Sequence, residues 1–326
     1  MKPKVAFYWC AACGGCEEAV VDLGEAILDV AAAIDIVLWP VALDFKKHHI
    51  EAMADGEIVA AFINGAVRSS EQEEWAHLLR KKSQVVIAFG SCAQLGGVPG
   101  LGNFSNRAGI METAYRETPS TVNQGGVFPQ AVHRDNGFTL TLPVLHDTVR
   151  ALDQVIDVDY YVPGCPPTPQ LLADAVQALL SGNLPAKGTV LAPDHALCMD
   201  CPRKDTKPDK PMISEFKRPH EVIIDQTQCL LAQGLLCLGP ATRSGCGARC
   251  IEGNMPCTGC FGPTSRVRDY GAKALSAIAS LANSNDDAEI AAILSKIPDP
   301  AGTFYRYSLP ASSLQRKKIQ EAPQCR

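Results

Sequence analysis

The sequence has no long hydrophobic run and no excess of positive charge. Its longest apolar stretch, residues 36–43, is far shorter than the ~18 residues that a membrane-spanning helix requires. Lys and Arg number 30 and Asp and Glu number 35, so the net charge of -5 gives no basic field for binding nucleic acid. The first residues show neither a secretory signal pattern nor a twin-arginine pair. These absences predict a cytoplasmic chain that has no membrane or nucleic-acid partner.

Cysteine is the residue type that stands out against this ordinary background. The chain is 46% hydrophobic and 20% charged, which is typical of a globular protein, and its 326 residues suggest about two domains. Its fourteen cysteines are too many for a routine cytosolic enzyme and too few for a small disulfide scaffold. In a reducing compartment, such thiols are expected to be metal ligands or redox groups.

The first 185 residues alternate short apolar segments with amphipathic ones. Helical spacing of apolar residues is found over 19–30, after Ser69 and after Pro169. This alternation predicts an α/β fold, a doubly wound parallel sheet of the flavodoxin-like type. The predicted buried strands are residues 5–9, 34–39, 58–63, 85–89 and 158–162.

The remainder of the chain has a different texture. Residues 92–152 are expected to form a long excursion with a hairpin at 139–142, and residues 202–219 an exposed connection. Residues 229–263 contain ten Gly and Pro among six cysteines, so metal centres rather than an apolar core are expected to order them. Two helices are predicted near 270–281 and 287–296. The predicted domains are 1–185, 186–265 and 266–326.

Four cysteines of the first region follow predicted strands. Cys13 and Cys16 come after the first strand, Cys92 after the fourth and Cys165 after the fifth. Because ligands bind at the carboxyl ends of the strands in open α/β sheets, these thiols are expected to meet and to hold a 4Fe–4S cluster. Cys10 is predicted to be a half-buried thiol at the end of a strand. The alternative is that all of them are ordinary core cysteines.

Eight further cysteines lie between residues 198 and 260, enough for two four-coordinate sites. Two 4Fe–4S clusters and two zinc sites both satisfy this number. The surrounding Gly and Pro residues, and the lack of basic stripes, favour iron–sulfur. The eight are Cys198, Cys201, Cys229, Cys237, Cys246, Cys250, Cys257 and Cys260.

Six motifs, in this order along the chain, resemble the small subunit of nickel–iron hydrogenases. The ending KIPDPAGTFYRYSLP at 296–310 resembles the cytoplasmic multimeric group, and most of all its heterodisulfide-reductase-linked, non-deazaflavin-reducing type. The motifs are CGGCE (13–17), GSCAQLGG (90–97), PGCPP (163–167), CMDCPR (198–203), CLGPATRSGC (237–246) and MPCTGC (255–260).

This resemblance implies three 4Fe–4S clusters. Cys13, Cys16, Cys92 and Cys165 would hold the proximal one. Cys246, Cys250, Cys257 and Cys260 would hold the medial one, which is a 3Fe cluster in membrane-bound and periplasmic relatives that lack the fourth cysteine. Cys198, Cys201, Cys229 and Cys237 would hold the distal one, where those relatives have a histidine in place of Cys198.

The resemblance also implies that this chain has no catalytic centre of its own. A partner large subunit would carry the nickel–iron site, and a further iron–sulfur or flavin subunit would accept the electrons. Glu17 and Glu18 are expected to cap the first helix, and His195 to be a loop residue. The alternatives are a subunit like the quinone-side cluster subunit of complex I, which leaves the eight later cysteines without a role, and a zinc-stabilised interaction scaffold.

Overall fold

The computed structural model of the protein describes residues 2–210 and 212–316. Cys325 and Lys317 lie outside the described residues. The strands of the described part are β1 (Lys4–Trp9), β2 (Asp35–Leu38), β3 (Ile58–Asn64), β4 (Val67–Ser69), β5 (Ser83–Phe89), β6 (Val132–Asp135), β7 (Phe138–Thr141), β8 (Leu145–Arg150), β9 (Tyr160–Val162) and β10 (Thr189–Val190).

The α-helices of the described residues are short except for two of 13 residues each, Ser70–Lys82 and Pro169–Ser181. In chain order they are α1 (Gly15–Val21), α2 (Ala26–Ala33), α3 (Lys47–Glu51), α4 (Ser70–Lys82), α5 (Ser91–Leu95), α6 (Arg107–Glu112), α7 (Pro169–Ser181), α8 (Arg249–Glu252), α9 (Tyr270–Ala279), α10 (Asp287–Leu294) and α11 (Pro300–Phe304).

A parallel sheet with the order β10-β9-β5-β3-β1-β2 forms the centre of the first half of the chain. The five strands predicted from the sequence lie in it in the order 2-1-3-4-5, with β10 added at one edge. This is the flavodoxin order. The predicted doubly wound parallel sheet is therefore confirmed.

Alternation along the strands places a separate apolar core on each face of the sheet. Val5 and Phe7 of β1 belong to a core shared with α1 and α7, whereas Ala6 and Tyr8 belong to a core shared with α3 and α4. Successive strand residues point to opposite faces, so one short apolar strand contributes to both cores. Helices on both faces follow from this arrangement.

The helical pattern over residues 19–30 is interrupted. Helix α1 ends at Val21 and α2 begins at Ala26, and Gly24 between them has a φ of +60°. A residue in this left-handed conformation cannot continue an α-helix, so one predicted helix becomes two. By contrast, α7 begins directly at Pro169 as predicted, with the Thr168 hydroxyl accepting a hydrogen bond from its first turn.

The excursion after β5 contains the predicted hairpin, displaced towards the N-terminus. Strands β6 and β7 pair with each other in antiparallel fashion, and every residue in them is exposed. Strand β8 then pairs antiparallel with β4, outside the main sheet. The excursion is thus tied to the sheet domain by β8.

A third apolar core lies among the cysteine-rich loops and the C-terminal helices. It joins Leu197, Leu235 and Ile251 of the loops to Tyr270 of α9 and Phe304 of α11. Most of the segment between 198 and 260 has no helix or strand longer than the four residues of α8. The division into domains at residues 185 and 265 stays a prediction. Among the described residues, no helix is long and apolar enough to cross a membrane.

We predict that the ionised carboxylate of Asp159 stabilises the sheet in a pH-dependent way. It accepts hydrogen bonds from the Val86 N–H at 2.8 Å and from Arg80 at 2.5 Å, and Lys187 lies 2.6 Å away. Burial acts to raise the pKa of Asp159, but these three donors outweigh it, so the pKa is lowered. The contribution is therefore present above the unfolded pKa of about 3.9 and is lost as the pH falls through the lower folded value.

D159N should reduce the free energy of unfolding at pH 7 by ~1–3 kcal/mol, because Arg80 and Lys187 lose their anionic partner. The difference from the wild type should shrink in acid, as measured by denaturant unfolding at pH 7 and pH 3. The matched control is D44N, which removes an exposed ion pair with Lys46 and should leave the unfolding curve unchanged. A D159N curve that matches the wild type at pH 7 would contradict the prediction.

Candidate metal centres

The first group of thiols lies at the carboxyl edge of the parallel sheet. Cys13 and Cys16 follow β1, Cys92 lies in α5 directly after β5, and Cys165 follows β9. Burial is the largest cause of the raised pKa of Cys16 and of Cys92, and nearby thiols raise both further: Cys92, Cys165 and Cys13 act on Cys16, and Cys165 and Cys13 act on Cys92. The structure therefore brings together the four cysteines that the sequence grouped. We call them the proximal group.

Glycines make room for these thiols. A Cβ on Gly90 would lie 2.4 Å from the Cys16 sulfur, and a Cβ on Gly97 would lie 2.4 Å from the Cys92 sulfur. Both glycines also have positive φ, at +86° and +57°. The Gly15 N–H points at the Cys13 sulfur from 3.4 Å. Only a residue without a side chain leaves enough space here, and backbone N–H groups beside sulfur stabilise added negative charge.

Cys10 does not belong to the proximal group. It is 4% exposed and packs in the core on the opposite face of the sheet from Cys16. It is therefore fully buried rather than half-buried as predicted. Its N–H donates to the carbonyl of Asn64 at 2.8 Å, which holds it at the end of β1.

A second group of four thiols lines one cavity among the later loops. The other walls of this cavity include Leu230, Leu231 and Arg203. We call these four cysteines the distal group. They are Cys198, Cys201, Cys229 and Cys237.

The remaining four cysteines form the medial group. Burial raises the pKa of Cys260, and the thiols of Cys250 and Cys246 raise it further, so these three residues lie close together. Burial also raises the pKa of Cys257, and the thiols of Cys237 in the distal group and of Cys260 raise it further. Cys257 therefore lies between the distal group and the other cysteines of the medial group. Its sulfur is 3.7 Å from the Thr242 hydroxyl, which in turn lies 3.0 Å from the Tyr270 hydroxyl.

Two hydrogen bonds connect the three groups in a row. The hydroxyl of Ser91, next to Cys92 of the proximal group, donates to the carbonyl of Cys260 in the medial group. The Cys257 N–H of the medial group donates to the sulfur of Cys237 in the distal group at 3.4 Å. The medial group therefore lies between the other two.

Burial keeps most of these thiols in their protonated form when no metal is present. It raises the pKa of Cys92, Cys198 and Cys260 to about 12 and that of Cys237 to about 11. Catalytic cysteines have the opposite property, a lowered pKa. A thiol that ionises only when a cation binds is suited to be a metal ligand, and the binding then releases a proton.

Four thiols in each group, together with glycine-lined approaches, fit iron–sulfur clusters in chemistry and number. The thirteen cysteines of the described residues are free thiols. Within the same residues, no three or more His, Cys, Asp or Glu side chains converge closely enough to hold a single metal ion.

The side chain of Glu17 has a different role from the one predicted. Both Glu17 and Glu18 lie in the first turn of α1, but Glu17 is 4% exposed and accepts hydrogen bonds from the Trp39 indole and the Asn64 amide. Burial raises its pKa despite these donors. The interpretation of Glu17 as a helix cap is therefore wrong, because its carboxylate points into the fold beside Cys16.

His195 is confirmed as a loop residue outside the cavity of the distal group. Its Nε2 lies 2.7 Å from a carboxylate oxygen of Asp200, which also accepts a hydrogen bond from the Ser244 hydroxyl. Asp200 directly precedes Cys201. The contact thus holds the loop between Cys198 and Cys201 in place.

Sequence reasoning missed Arg203, the basic residue that lines the distal cavity. Its side chain is buried, and its backbone N–H points at the sulfur of Cys201 from 3.4 Å. The position of Arg203, two residues after a candidate ligand, was the only sign of its role in the sequence. Because the segment is rich in lysine, the sequence did not show whether this arginine is buried or exposed to solvent.

We predict that G90A displaces Cys16 and reduces the iron bound by the proximal group. The matched control is G137A, in the turn between β6 and β7, because Gly137 has nearly the same φ, +84°, and nothing within 4 Å of an added Cβ. Both substitutions place a side chain at a positive φ, and only G90A meets a sulfur atom. G90A should lose about a third of the iron and the proximal electron paramagnetic resonance signal, whereas G137A should keep both. Equal iron in the two variants would contradict the prediction.

Comparison with known proteins identifies the fold and the family of the chain. The family "NADH ubiquinone oxidoreductase, 20 Kd subunit" matches residues 13–179, which include the proximal group and none of the later eight cysteines. A [NiFeSe] hydrogenase from Desulfovibrio vulgaris Hildenborough has a similar fold, with a TM-score of 0.51 at 18% identity over 81% of this chain and 94% of that one.

Relatives of much higher identity cover the whole chain. The iron-sulfur subunit of the F420-non-reducing hydrogenase of Archaeoglobus profundus is 42% identical over 97% of this chain and 99% of its own length. The corresponding F420-non-reducing hydrogenase subunit of Methanothermobacter thermautotrophicus is 38% identical over 98% of both chains. F420 is a deazaflavin, so the resemblance to the non-deazaflavin-reducing type is confirmed. The chain belongs to this family of F420-non-reducing hydrogenase iron-sulfur subunits, and it is an oxidoreductase subunit of the nickel–iron hydrogenase type.

Proposed function

We propose that the chain relays electrons between the nickel–iron site of a partner large subunit and an acceptor subunit, through three 4Fe–4S clusters. Such clusters supply one-electron transfer when bound. The proximal, medial and distal groups would hold one cluster each, with four thiolates apiece. The proposal rests on one observation above all, the arrangement of the three thiol groups in a row.

The two hydrogen bonds between groups support this order of transfer. One joins the hydroxyl of Ser91, next to Cys92, to the carbonyl of Cys260, and the other joins the Cys257 N–H to the sulfur of Cys237. Neighbouring groups are therefore in contact through cysteines or residues next to them. Electron tunnelling falls off steeply with distance, so three closely spaced clusters cross a length that one gap would not.

The chain's own residues supply the environment of the clusters rather than acid or base chemistry. Apolar walls such as Leu230 and Leu231 exclude water from the distal group, and the glycines admit the proximal thiols. Backbone N–H groups beside sulfur, such as that of Gly15, stabilise the reduced state. The proposed heterolytic splitting of hydrogen takes place in the partner, not in this chain.

The proposed partners are a hydrogenase large subunit and an iron–sulfur or flavin subunit that accepts the electrons. The large subunit would lie at the proximal end, where Cys13 is exposed at the edge of the sheet. The acceptor would lie at the distal end. A link to heterodisulfide reductase and a location in the cytoplasm stay predictions from the sequence.

The second candidate function is that of a quinone-side cluster subunit. The family match over residues 13–179 favours it, because that family's description names a ubiquinone oxidoreductase. It would use the proximal group only. The medial and distal groups would then have no role, which is why we prefer the relay.

Metal analysis of the anaerobically purified complex tests the number of clusters. The relay predicts about 12 iron and about 12 acid-labile sulfide for each copy of this chain, after subtraction of the iron and sulfide in the partner subunits. About 4 of each would support the single-cluster alternative. Two zinc ions without sulfide would overturn the relay and favour the zinc scaffold.

We also predict that C201S separates electron transfer from hydrogen activation. Loss of one thiolate from the distal group should abolish or strongly reduce hydrogen-dependent reduction of the acceptor, by at least about tenfold. Exchange of deuterium between hydrogen gas and water, which needs only the nickel–iron site, should continue. The control is C10A, which removes a buried thiol outside the three groups and should preserve both activities. Full acceptor reduction by C201S would count against the distal group as part of the relay.

A further inference from the structure

Arg203 is a buried cation beside the distal group. The residue is 6% exposed, and it forms part of the wall of the cavity that the four distal thiols line. Its guanidinium donates to four acceptors, all of them neutral. These are the carbonyls of Asp225 at 3.3 Å, Gln228 at 3.4 Å and Ile251 at 3.1 Å, and the Asn254 side-chain oxygen at 2.8 Å.

No carboxylate of the described residues lies within ion-pair distance of this guanidinium. The carboxylate of Asp225 accepts hydrogen bonds from the backbone N–H and the hydroxyl of Thr227, and these come before the charge of Arg203 among the causes that lower its pKa. Arginine does not lose its proton in proteins. The positive charge is therefore present and lacks a counter-ion from the surrounding chain.

A second buried arginine shows what the usual arrangement is. Arg243 is 3% exposed and also donates to backbone carbonyls, but Asp194 lies 2.9 Å from its guanidinium. Burying a charge without a partner of opposite sign is costly. Arg203 differs from Arg243 in lacking that partner, and it forms part of the wall of the cavity that the distal thiols line.

The distal thiols supply the missing negative charge when they act as ligands. As four thiolates around a 4Fe–4S core, they carry a net negative charge that grows on reduction. The counter-ion that Arg203 lacks is then present in the cavity.

We infer that Arg203 is the positioning residue and the counter-charge of the distal centre. This inference rests on the proposed function. The guanidinium holds the carbonyl of Gln228, next to Cys229, and that of Ile251, next to Cys250, while its own backbone N–H faces Cys201. One side chain thus ties a distal loop to the helix of the medial group. Its charge favours the reduced, more negative state of the distal cluster.

The test is the midpoint potential of the distal cluster, measured by electron paramagnetic resonance in redox titrations of the purified complex. R203Q removes the charge and should shift the distal potential downwards, while the proximal potential stays as in the wild type. R203K keeps the charge but loses the planar fork, so its potential should stay closer to the wild type while its thermal unfolding temperature falls.

N254D tests the same charge in a chain that keeps Arg203. The substitution is nearly isosteric and places a carboxylate 2.8 Å from the guanidinium, so it gives Arg203 a partner and should also lower the distal potential. N254D provides the test of the inference if R203Q does not fold. The control for loss of a buried arginine is R243Q, which should reduce thermal stability without moving the distal potential.

The outcomes separate the inference from the proposed function. If the wild-type complex contains no distal cluster, the proposed function fails. If the wild type and R203Q contain the cluster at equal potential, or if N254D leaves the potential unchanged, the inference is overturned and the relay stands. A downward shift in R203Q and N254D, with R203K and R243Q near the wild type, supports the inference.

Discussion

The buried thiol is the constraint on which the rest of this structure depends. A cysteine that is surrounded by apolar side chains and peptide groups does not ionise near neutral pH unless a cation is bound. Most members of the three groups are in that condition, with burial as the largest cause of the raised pKa. The loops around them contain little regular structure, but residues such as Leu235 and Ile251 form an apolar core among them, so the prediction that these residues lack such a core is wrong. Bonds between the thiols and the proposed clusters would add to the order that this core supplies.

The parallel sheet brings the four thiols of the proximal group together. Strands that run in the same direction end at one edge, so residues far apart in the chain arrive together there. Cys16 and Cys165, 149 positions apart, meet in this way. The later loops have no sheet to align them and rely on short contacts instead. Hydrogen bonds such as that from the Cys257 N–H to the Cys237 sulfur place one group against the next.

Much of the fold and of the site could be predicted because local sequence patterns indicate the strands, the helices and the candidate ligands. Apolar runs such as residues 58–63 indicated the strands, and cysteines placed just after strands indicated the proximal group. The misreadings arose where neighbours in space decide. Gly24 broke a helix that periodicity had continued, Glu17 turned inwards to Trp39 and Asn64, and Cys10 proved fully buried on the opposite face. The side of a sheet on which a strand-end residue lies depends on the register of the last few residues, which the pattern leaves open.

The sequence alone determined the family of the protein and the number of thiols available as ligands, because motif order and cysteine count are properties of the chain. It also determined the class of the sheet, since short apolar strands that alternate with amphipathic helices require a parallel sheet with helices on both faces. The tertiary structure decided which groups adjoin and which charge has no partner. Both the row of thiol groups and the guanidinium of Arg203 without an ion-pair partner depend on contacts between segments that are distant in the chain. Examples are the hydrogen bonds from Ser91 to Cys260, from Cys257 to Cys237 and from Arg203 to Ile251. Electrostatic interactions depend on the distance between charges and on their burial, and only the tertiary structure determines these two quantities.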